Sequence, residues 1–150
     1  GYQALAAAAE ASDDIGPETI LSELVMDKLG TTDPRSILKE VSAGGDTRRE
    51  VAALAPVVIT AAEKHDSVAV RIIISAVTET VKLVAAVART LEFDEPYPLA
   101  VAGGVVCNSA LFQRELESQL GKLEPPPGSM KIVDEPVMGC LMIGRKSLGF

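Results

Sequence analysis

The chain has 150 residues, a length that suits one domain with a core of ordinary size. Aromatic residues make up only 3% and tryptophan is absent, so the core has to be built from Ala, Val, Ile and Leu. The net charge is −7 and the basic residues are scattered, which argues against a nucleic-acid surface, because such a surface needs clustered Lys and Arg.

The first helices are predicted from composition and apolar spacing. The Ala-rich segment Tyr2–Ala11 favours a helix because Ala has the highest helix propensity. A second helix is predicted with Pro17 at its first position and Gly30 at its end, since apolar residues recur at helical spacing between them. A short third helix is predicted to begin near Asp33 and to end at the glycine pair 44–45.

Two further helices are predicted before residue 96. Thr47 and Glu50 have the spacing of a capping box, so a helix is expected to begin there and to be kinked by Pro56. Asp66 is predicted to cap a long helix that covers Ser67–Leu91. The apolar side of that helix is formed by Val68, Ile72, Val77, Val81, Val84 and Ala88. Residues 1–95 are therefore predicted to be helical throughout, without a strand.

The remaining residues are predicted to form a β-α-β-α unit. Leu99–Ala102 and Met130–Val133 are predicted strands, and Ser109–Leu120 and Met138–Leu148 are predicted helices, with Pro125–Gly128 as a linker. Strands joined by a crossover helix pair in parallel. Two strands cannot form a parallel sheet with both faces buried, so either further sequence or a partner chain has to complete it, and we favour further sequence.

Gly103 and Gly104 stand where the first predicted strand turns towards a helix. A turn of bare backbone lets a ligand lie directly against the chain, and ligands of open α/β sheets bind beyond the carboxyl ends of the strands. The GxxxxGK and GxGxxG patterns are both missing, so the turn is neither a Walker A loop nor a dinucleotide fingerprint. On spacing alone, a tight turn that needs no ligand explains the two glycines equally well.

The cysteines and the apolar stretches indicate a cytoplasmic protein. Cys107 and Cys140 are far apart and form no CxxC pair, and there is one histidine, so we expect two buried thiols and no zinc site. No signal peptide is visible at the amino terminus. The most apolar stretch is interrupted by charges such as Arg71 and Glu79, which favours a buried helix over a membrane span.

Several segments resemble a known superfamily. LAVAGGVVCNSALFQREL resembles the adenosine motif of actin-like ATPases and sugar kinases, and IVDEPVMGCLMIGRKSL resembles their last strand and helix. GYQAL, PETILSELVMDKLG and REVAALAPVVITAAEKHDSVA are similar to helices of the N-acetylglucosamine kinase family, which is related to the BadF/BcrA-type ATPases. The resemblance spans nearly the whole chain.

This resemblance implies a fold and a domain organisation. The chain is expected to be a helix-rich α/β structure, the carboxy-terminal part of a ribonuclease-H-like (actin-like ATPase) domain with inserted helices and two short parallel strands. Residues 1–150 would then be a carboxy-terminal nucleotide-binding lobe, with a helical part at 1–95 and the β-α-β-α part at 96–150. The amino-terminal lobe would be absent from this sequence.

The resemblance also implies an activity and a set of binding residues. Members of the family phosphorylate an amino sugar with ATP and Mg²⁺ in a cleft between two lobes. Gly103, Gly104 and Val105 are implied to lie beside adenosine, and Asn108 to reach the nucleotide. The turn around Thr47 is implied to form the facing wall, although helix capping alone also explains Thr47.

No catalytic residue and no metal ligand can be assigned in this chain. The phosphate loops and the catalytic Asp of the family correspond to sequence ahead of Gly1, so the metal would be held mainly by the missing lobe. The chain alone is therefore expected to be inactive. Its implied partners are ATP, the sugar and the missing lobe, with no nucleic acid and no membrane, and a homodimer is left open.

Two alternatives belong to other functional classes. The first is an ATPase of the dehydratase-activator type, which needs cysteines to hold an iron–sulfur cluster, and Cys107 and Cys140 are not suitably placed for one. The second is a non-enzymatic helical interaction domain. The succession of amphipathic helices supports this alternative.

Overall fold

The structure, a computed structural model, describes residues 1–33, 36 and 47–149. In this part the chain is a helix-rich α/β protein with two short parallel strands, as predicted. The elements are α1 (Tyr2–Ser12), α2 (Leu21–Leu29), α3 (Thr47–Ala52), α4 (Ala55–Glu63), α5 (Ser67–Thr90), β1 (Tyr97–Ala102), α6 (Gly104–Asn108), α7 (Ala110–Leu120), β2 (Pro127–Val133) and α8 (Val137–Ser147). The short helix predicted between Asp33 and the glycine pair 44–45 lies almost wholly outside the described residues.

The chain divides into two compact units, Gly1–Val77 and Thr78–Phe150. In the first unit, α1 packs against α2, and α2 packs against α4. The core of these helices consists of small and medium apolar side chains, as the low aromatic content requires. Its buried residues are Leu5, Ala8, Val25, Val51 and Leu54.

The start of α2 differs from the prediction, whereas its end agrees. Gly30 ends the helix in the left-handed conformation, with φ 68°, as predicted. Pro17 is not the first helical residue, because α2 begins only at Leu21. The backbone N–H of Leu21 donates to the hydroxyl of Thr19 over 3.1 Å. The helix therefore begins after Thr19 and not at Pro17.

The carboxylate of Asp66 joins the starts of two helices. It accepts hydrogen bonds from the backbone N–H groups of Val68 and Ala69 at 3.0 and 2.8 Å, which confirms the predicted cap of α5. It also accepts from the hydroxyl of Thr19 and the N–H of Ile20, each at 2.9 Å. Burial raises the pKa of Asp66, but these donors outweigh burial, so the pKa lies below its ordinary value.

The helix predicted to be kinked by Pro56 is divided into two helices. α3 ends at Ala52, and Pro56 lies in the first turn of α4. Backbone N–H groups in the first turn have no acceptor within the helix, so a proline there costs no hydrogen bond. The prediction of one continuous helix is therefore wrong. Thr47 is the first residue of α3, and because the residue before it lies outside the described part, the capping box stays a prediction.

The long helix α5 covers Ser67–Thr90 and agrees closely with its prediction. Val68, Val77 and Ala88 are buried as predicted, whereas Ile73 is buried where Ile72 was expected. Among the helices of the described ranges, none has the length and apolar character needed to cross a bilayer.

In the second unit β1 and β2 pair in parallel, which confirms the predicted crossover. The predicted linker is wrong for Pro127 and Gly128, because both belong to β2. Proline is tolerated as the first residue of a strand. A Cβ atom added at Gly128 would lie 3.0 Å from the Cβ of Pro96, so a glycine allows the close approach of these two segments.

The start of α7 depends on Ser109. This residue is extended and 2% exposed, and its hydroxyl accepts the backbone N–H of Phe112 at 3.2 Å. We expect Ser109→Ala to lower the free energy of unfolding by about 1 kcal/mol, because it leaves a buried helix donor without its partner. Ser118→Ala, on the exposed side of the same helix, is the matched control and should cause no loss. Urea denaturation compares the two, and equal stabilities would contradict the assigned cap.

Candidate functional site

The turn after β1 contains a backbone conformation that only glycine adopts readily. β1 ends at Ala102, and Gly103 follows with φ 124° and ψ 153°. An L-residue with a side chain is strained in this region. Gly103 is therefore required by the course of the chain, whether or not a ligand binds.

Gly104 has no comparable reason to be glycine. Its φ is not positive, and an added Cβ atom would find no described atom within 4 Å. The fold thus tolerates a side chain at Gly104, yet the residue leaves a patch of bare backbone at the carboxyl end of a parallel strand. This is the position at which ligands of α/β sheets bind.

A groove of about 490 Å³ lies beside this turn. Its walls are Thr80 of α5, residues 100–106, and Phe112 and Leu116 of α7. Among these lining residues none carries a charge. Such a surface suits a flat, uncharged group, whereas the phosphates of a nucleotide need cationic partners or backbone N–H groups.

The chain leaves the turn in a way that the sequence pattern did not predict. The helix after the glycines was predicted over Ser109–Leu120, and α7 agrees with it, but a separate five-residue helix, α6, already begins at Gly104. A helix this short carries little macrodipole, so the expected attraction of phosphate to its amino end is weak. The side chain of Gln113 donates to the carbonyl of Val106 over 2.6 Å and ties α7 to α6.

The predicted nucleotide-contacting residues are distributed unevenly. Gly103, Gly104 and Val105 all line the groove. Asn108 does not line it, and its side-chain amide donates to the carbonyl of Gly104 over 2.8 Å. In the described structure Asn108 therefore holds the turn in shape, and its predicted contact with the nucleotide stays a prediction. The same is true of Thr47, which belongs to the first unit.

Three lining residues outside the segment 100–106 were not predicted as binding residues. Thr80 comes from α5 and belongs to no recognisable motif, whereas Phe112 and Leu116 lie at the end of the segment that resembles the adenosine motif but were not predicted as binding residues. Phe112 and Leu116 recur at helical spacing, but this spacing marks them only as core residues.

The described residues offer no metal centre of their own. No group of three or more His, Cys, Asp or Glu side chains within the described ranges could hold a metal ion. Cys107 is half-buried and Cys140 is exposed, and both are free thiols, so the prediction of two buried thiols is wrong for Cys140. The thiol of Cys107 lies 3.9 Å from the carbonyl oxygen of Val133.

Comparison with known proteins relates the chain to amino-sugar kinases. No protein-family model matches it. It is 29% identical over 146 residues to an N-acetylmuramic acid/N-acetylglucosamine kinase of Clostridium acetobutylicum, an alignment that covers 97% of this chain and 48% of the relative. It is 23% identical over 150 residues to an N-acetyl-D-glucosamine kinase of Dictyostelium discoideum, covering 98% of this chain and 47% of the relative.

The chain thus spans about half the length of the curated relatives it matches. Along nearly its whole length it is related to the N-acetylglucosamine kinases, as its motifs predict.

Proposed function

We propose that the full-length protein containing this chain transfers a phosphoryl group from ATP to an amino sugar of the N-acetylglucosamine type. Within it, Gly103, Gly104 and Val105 form the surface on which adenosine lies. The names of the two relatives support phosphoryl transfer to an amino sugar. The groove beside β1 supports the assignment of the adenosine side.

The observation that carries this proposal is the combination of Gly104 and an uncharged groove. Gly104 is free of steric demands from the fold, so its bare backbone is best explained by a ligand that lies close to it. The groove has the size of a small-molecule site and the polarity of a site for a base. Without charged residues, it does not suit the triphosphate.

We propose further that residues 1–150 are the carboxy-terminal nucleotide-binding lobe of an actin-like fold, with the other lobe in the remainder of the longer protein. Ala100 and Ala102 of β1 are exposed, although strands of parallel sheets are ordinarily covered on both faces. α8 buries none of its residues, and its Leu141 and Ile143 are 56% and 72% exposed. Surfaces of this kind favour further protein that covers them.

The phosphoryl-transfer chemistry is proposed to come mainly from that other lobe. Mg²⁺ would neutralise charge on the β- and γ-phosphates when bound, and a base would accept the proton of the sugar hydroxyl. The described residues contain no carboxylate cluster suited to this metal. This chain would bind and orient adenosine, with Asn108 bracing the turn and Thr47 on the facing wall.

We expect the full-length protein to convert N-acetylglucosamine and ATP into a sugar phosphate and ADP. Mass spectrometry of the sugar would detect the added phosphate. N-acetylmuramic acid belongs in the same assay because the name of one relative includes it. Glucosamine and glucose belong there because they lack the N-acetyl group and the amino group, respectively. The isolated chain, assayed in parallel, is expected to show no turnover.

Two outcomes would contradict the proposal. The first is ATP consumption without a phosphorylated sugar, together with iron and visible absorbance, which would point to an ATPase of the dehydratase-activator type. The second is the absence of ATP and ADP binding heat in calorimetry of the full-length protein, which would favour a non-enzymatic helical domain.

A further inference from the structure

A second cavity lies at the amino-terminal end of β1. It has a volume of about 360 Å³, within the range of small-molecule sites. Its walls come from the end of α5, the connection to β1 and the segment after α7. The lining residues are Ala85, Ala88, Arg89, Phe93, Tyr97, Lys122, Leu123, Glu124 and Pro125.

The hydroxyl of Tyr97 is the most unusual polar group of this cavity. Tyr97 is only 6% exposed, and its hydroxyl oxygen is buried without a hydrogen-bond partner among the described residues. A buried tyrosine hydroxyl ordinarily has a partner, because leaving it unpaired is costly. The fold therefore buries this donor, in a residue that lines the cavity, without supplying its acceptor.

The aromatic ring of Tyr97 also has a fixed orientation. Phe93 stacks on it with ring centroids 4.7 Å apart and an interplanar angle of 17°. Two stacked rings form a flat, rigid apolar wall, and the side chains of Ala88 and Leu123 extend this apolar lining. A ligand with a flat apolar body would fit against such a surface.

The charged residues of the cavity favour a negatively charged ligand. Arg89 and Lys122 both line it, and neither forms an ion pair within the described part of the chain. Glu124 is the single carboxylate among the lining residues, so the net charge of the lining side chains is +1. A ligand with one negative charge would neutralise that charge.

We propose that this cavity binds a small organic oxyanion with a flat apolar body. One oxygen of its carboxylate or phosphate accepts the hydrogen bond of the Tyr97 hydroxyl, and Arg89 and Lys122 hold its charge. The hydroxyl is closed off from solvent, so the ligand has to displace part of the wall to reach it. Arg89 and Lys122 are exposed lining residues with long side chains, which can rearrange when a ligand enters.

The proposed anion site is separate from the proposed nucleotide site. Tyr97 is the first residue of β1, and Gly103 follows the last, so the two sites are roughly 20 Å apart at about 3.3 Å for each strand residue. The proposal does not depend on kinase activity. It can fail while the nucleotide assignment holds, and the reverse is equally true.

We would test the proposal on the full-length protein with benzoate and phenyl phosphate, which share a flat ring and differ in the oxyanion. NMR titration should give a Kd on the order of 1 mM or tighter for at least one of them. Benzyl alcohol, which has the ring without the charge, should bind at least about tenfold more weakly, and so should inorganic phosphate, which has the charge without the ring.

Three variants test the assigned residues. Arg89→Gln together with Lys122→Gln should weaken binding of the preferred probe at least about tenfold. Arg114→Gln together with Lys131→Gln removes two exposed charges that do not line the cavity, and it should leave the affinity unchanged. Tyr97→Phe should weaken the probe about fivefold or more and raise the Tm measured without probe, because it deletes the unpaired hydroxyl.

Several results would overturn the proposal. Equal binding of benzyl alcohol and the two anions would show that the charge of the ligand does not contribute to affinity. Unchanged affinity in the double variant at Arg89 and Lys122 would show that these two residues do not bind the probe. A lower Tm of Tyr97→Phe with unchanged probe affinity would mean that the hydroxyl serves only the fold. Gly104→Val should leave probe affinity unchanged, and a loss there would place the probe in the nucleotide groove instead.

Discussion

Gly104→Val is expected to raise the KM of the full-length protein for ATP about 100-fold, or about 2.8 kcal/mol, and to leave its affinity for the sugar nearly unchanged. A Cβ atom added at this position has no described atom within 4 Å apart from its chain neighbours and its own helix, so the fold leaves open space where the side chain begins. Its two methyl groups would instead occupy the space that we assign to adenosine. Overpacking of a well-fitted surface by this much costs about 1 to 3 kcal/mol.

Two control variants make this test specific. Gly121→Val places the same side chain at an exposed position after α7, where an added Cβ has only ordinary contacts, the nearest 3.5 Å away, and the KM for ATP should not change. Gly103→Ala differs in kind, because alanine at φ 124° strains the backbone by about 1 to 3 kcal/mol and should lower the stability of the protein itself. An unaltered KM for ATP in Gly104→Val would speak directly against the assigned site.

Asp66→Ala is expected to lower the free energy of unfolding by about 2 to 4 kcal/mol, the largest stability effect that we predict for one side chain. The substitution removes the cap of α5 and, at the same time, the acceptor for the N–H of Ile20 and the hydroxyl of Thr19. Denaturation in urea at pH 7 measures the loss. Asp94→Ala, in the exposed connection before β1, removes the same charge and should change stability little.

The effect of Asp66 should depend on pH with a definite sign. Its pKa is lower in the folded protein than the ordinary value of about 3.9, so its charged form stabilises the fold. That contribution is fully present above about pH 4 and is lost as the pH falls through the folded pKa. The stability difference between the wild-type protein and Asp66→Asn should therefore shrink below about pH 4. A difference that stays constant from pH 7 to pH 3 would contradict the role of the carboxylate charge.

Local sequence patterns predicted most of the helices and strands. They failed where the start of a helix depends on a residue that is distant in sequence. The cap of α5 by Asp66 follows from neighbouring residues and was predicted. The delayed start of α2 depends on the hydrogen bonds of Thr19 and Ile20 with Asp66, a residue 46 positions from Ile20 in sequence. No local pattern contains that partner, so Pro17 was the better local candidate.

The short helix α6 was missed for a different reason. The sequence pattern predicted the following helix from Ser109, close to the observed start of α7, whereas the five residues of α6 are too few to show a helical period. The hydroxyl of Ser109 caps the second helix, and the side chain of Gln113 bonds back to Val106. Serine is a good capping residue, which agrees with the helix start predicted at Ser109.

The glycine turn was predicted, but the groove around it was not. Two consecutive glycines after a short apolar run indicate a turn of bare backbone, which a sequence can show. The far wall of the groove needs Thr80, Phe112 and Leu116 to come together from separate helices. The proximity of these residues depends on tertiary packing, for which a single sequence carries no direct signal.

The position of the bound base is the most direct test of the proposed function. A crystal structure of the full-length protein with ADP should show the adenine ring resting on the backbone of Gly103 and Gly104, within the groove bordered by Phe112 and Leu116. Adenine bound at any other surface, with this groove filled only by solvent, would contradict the assignment.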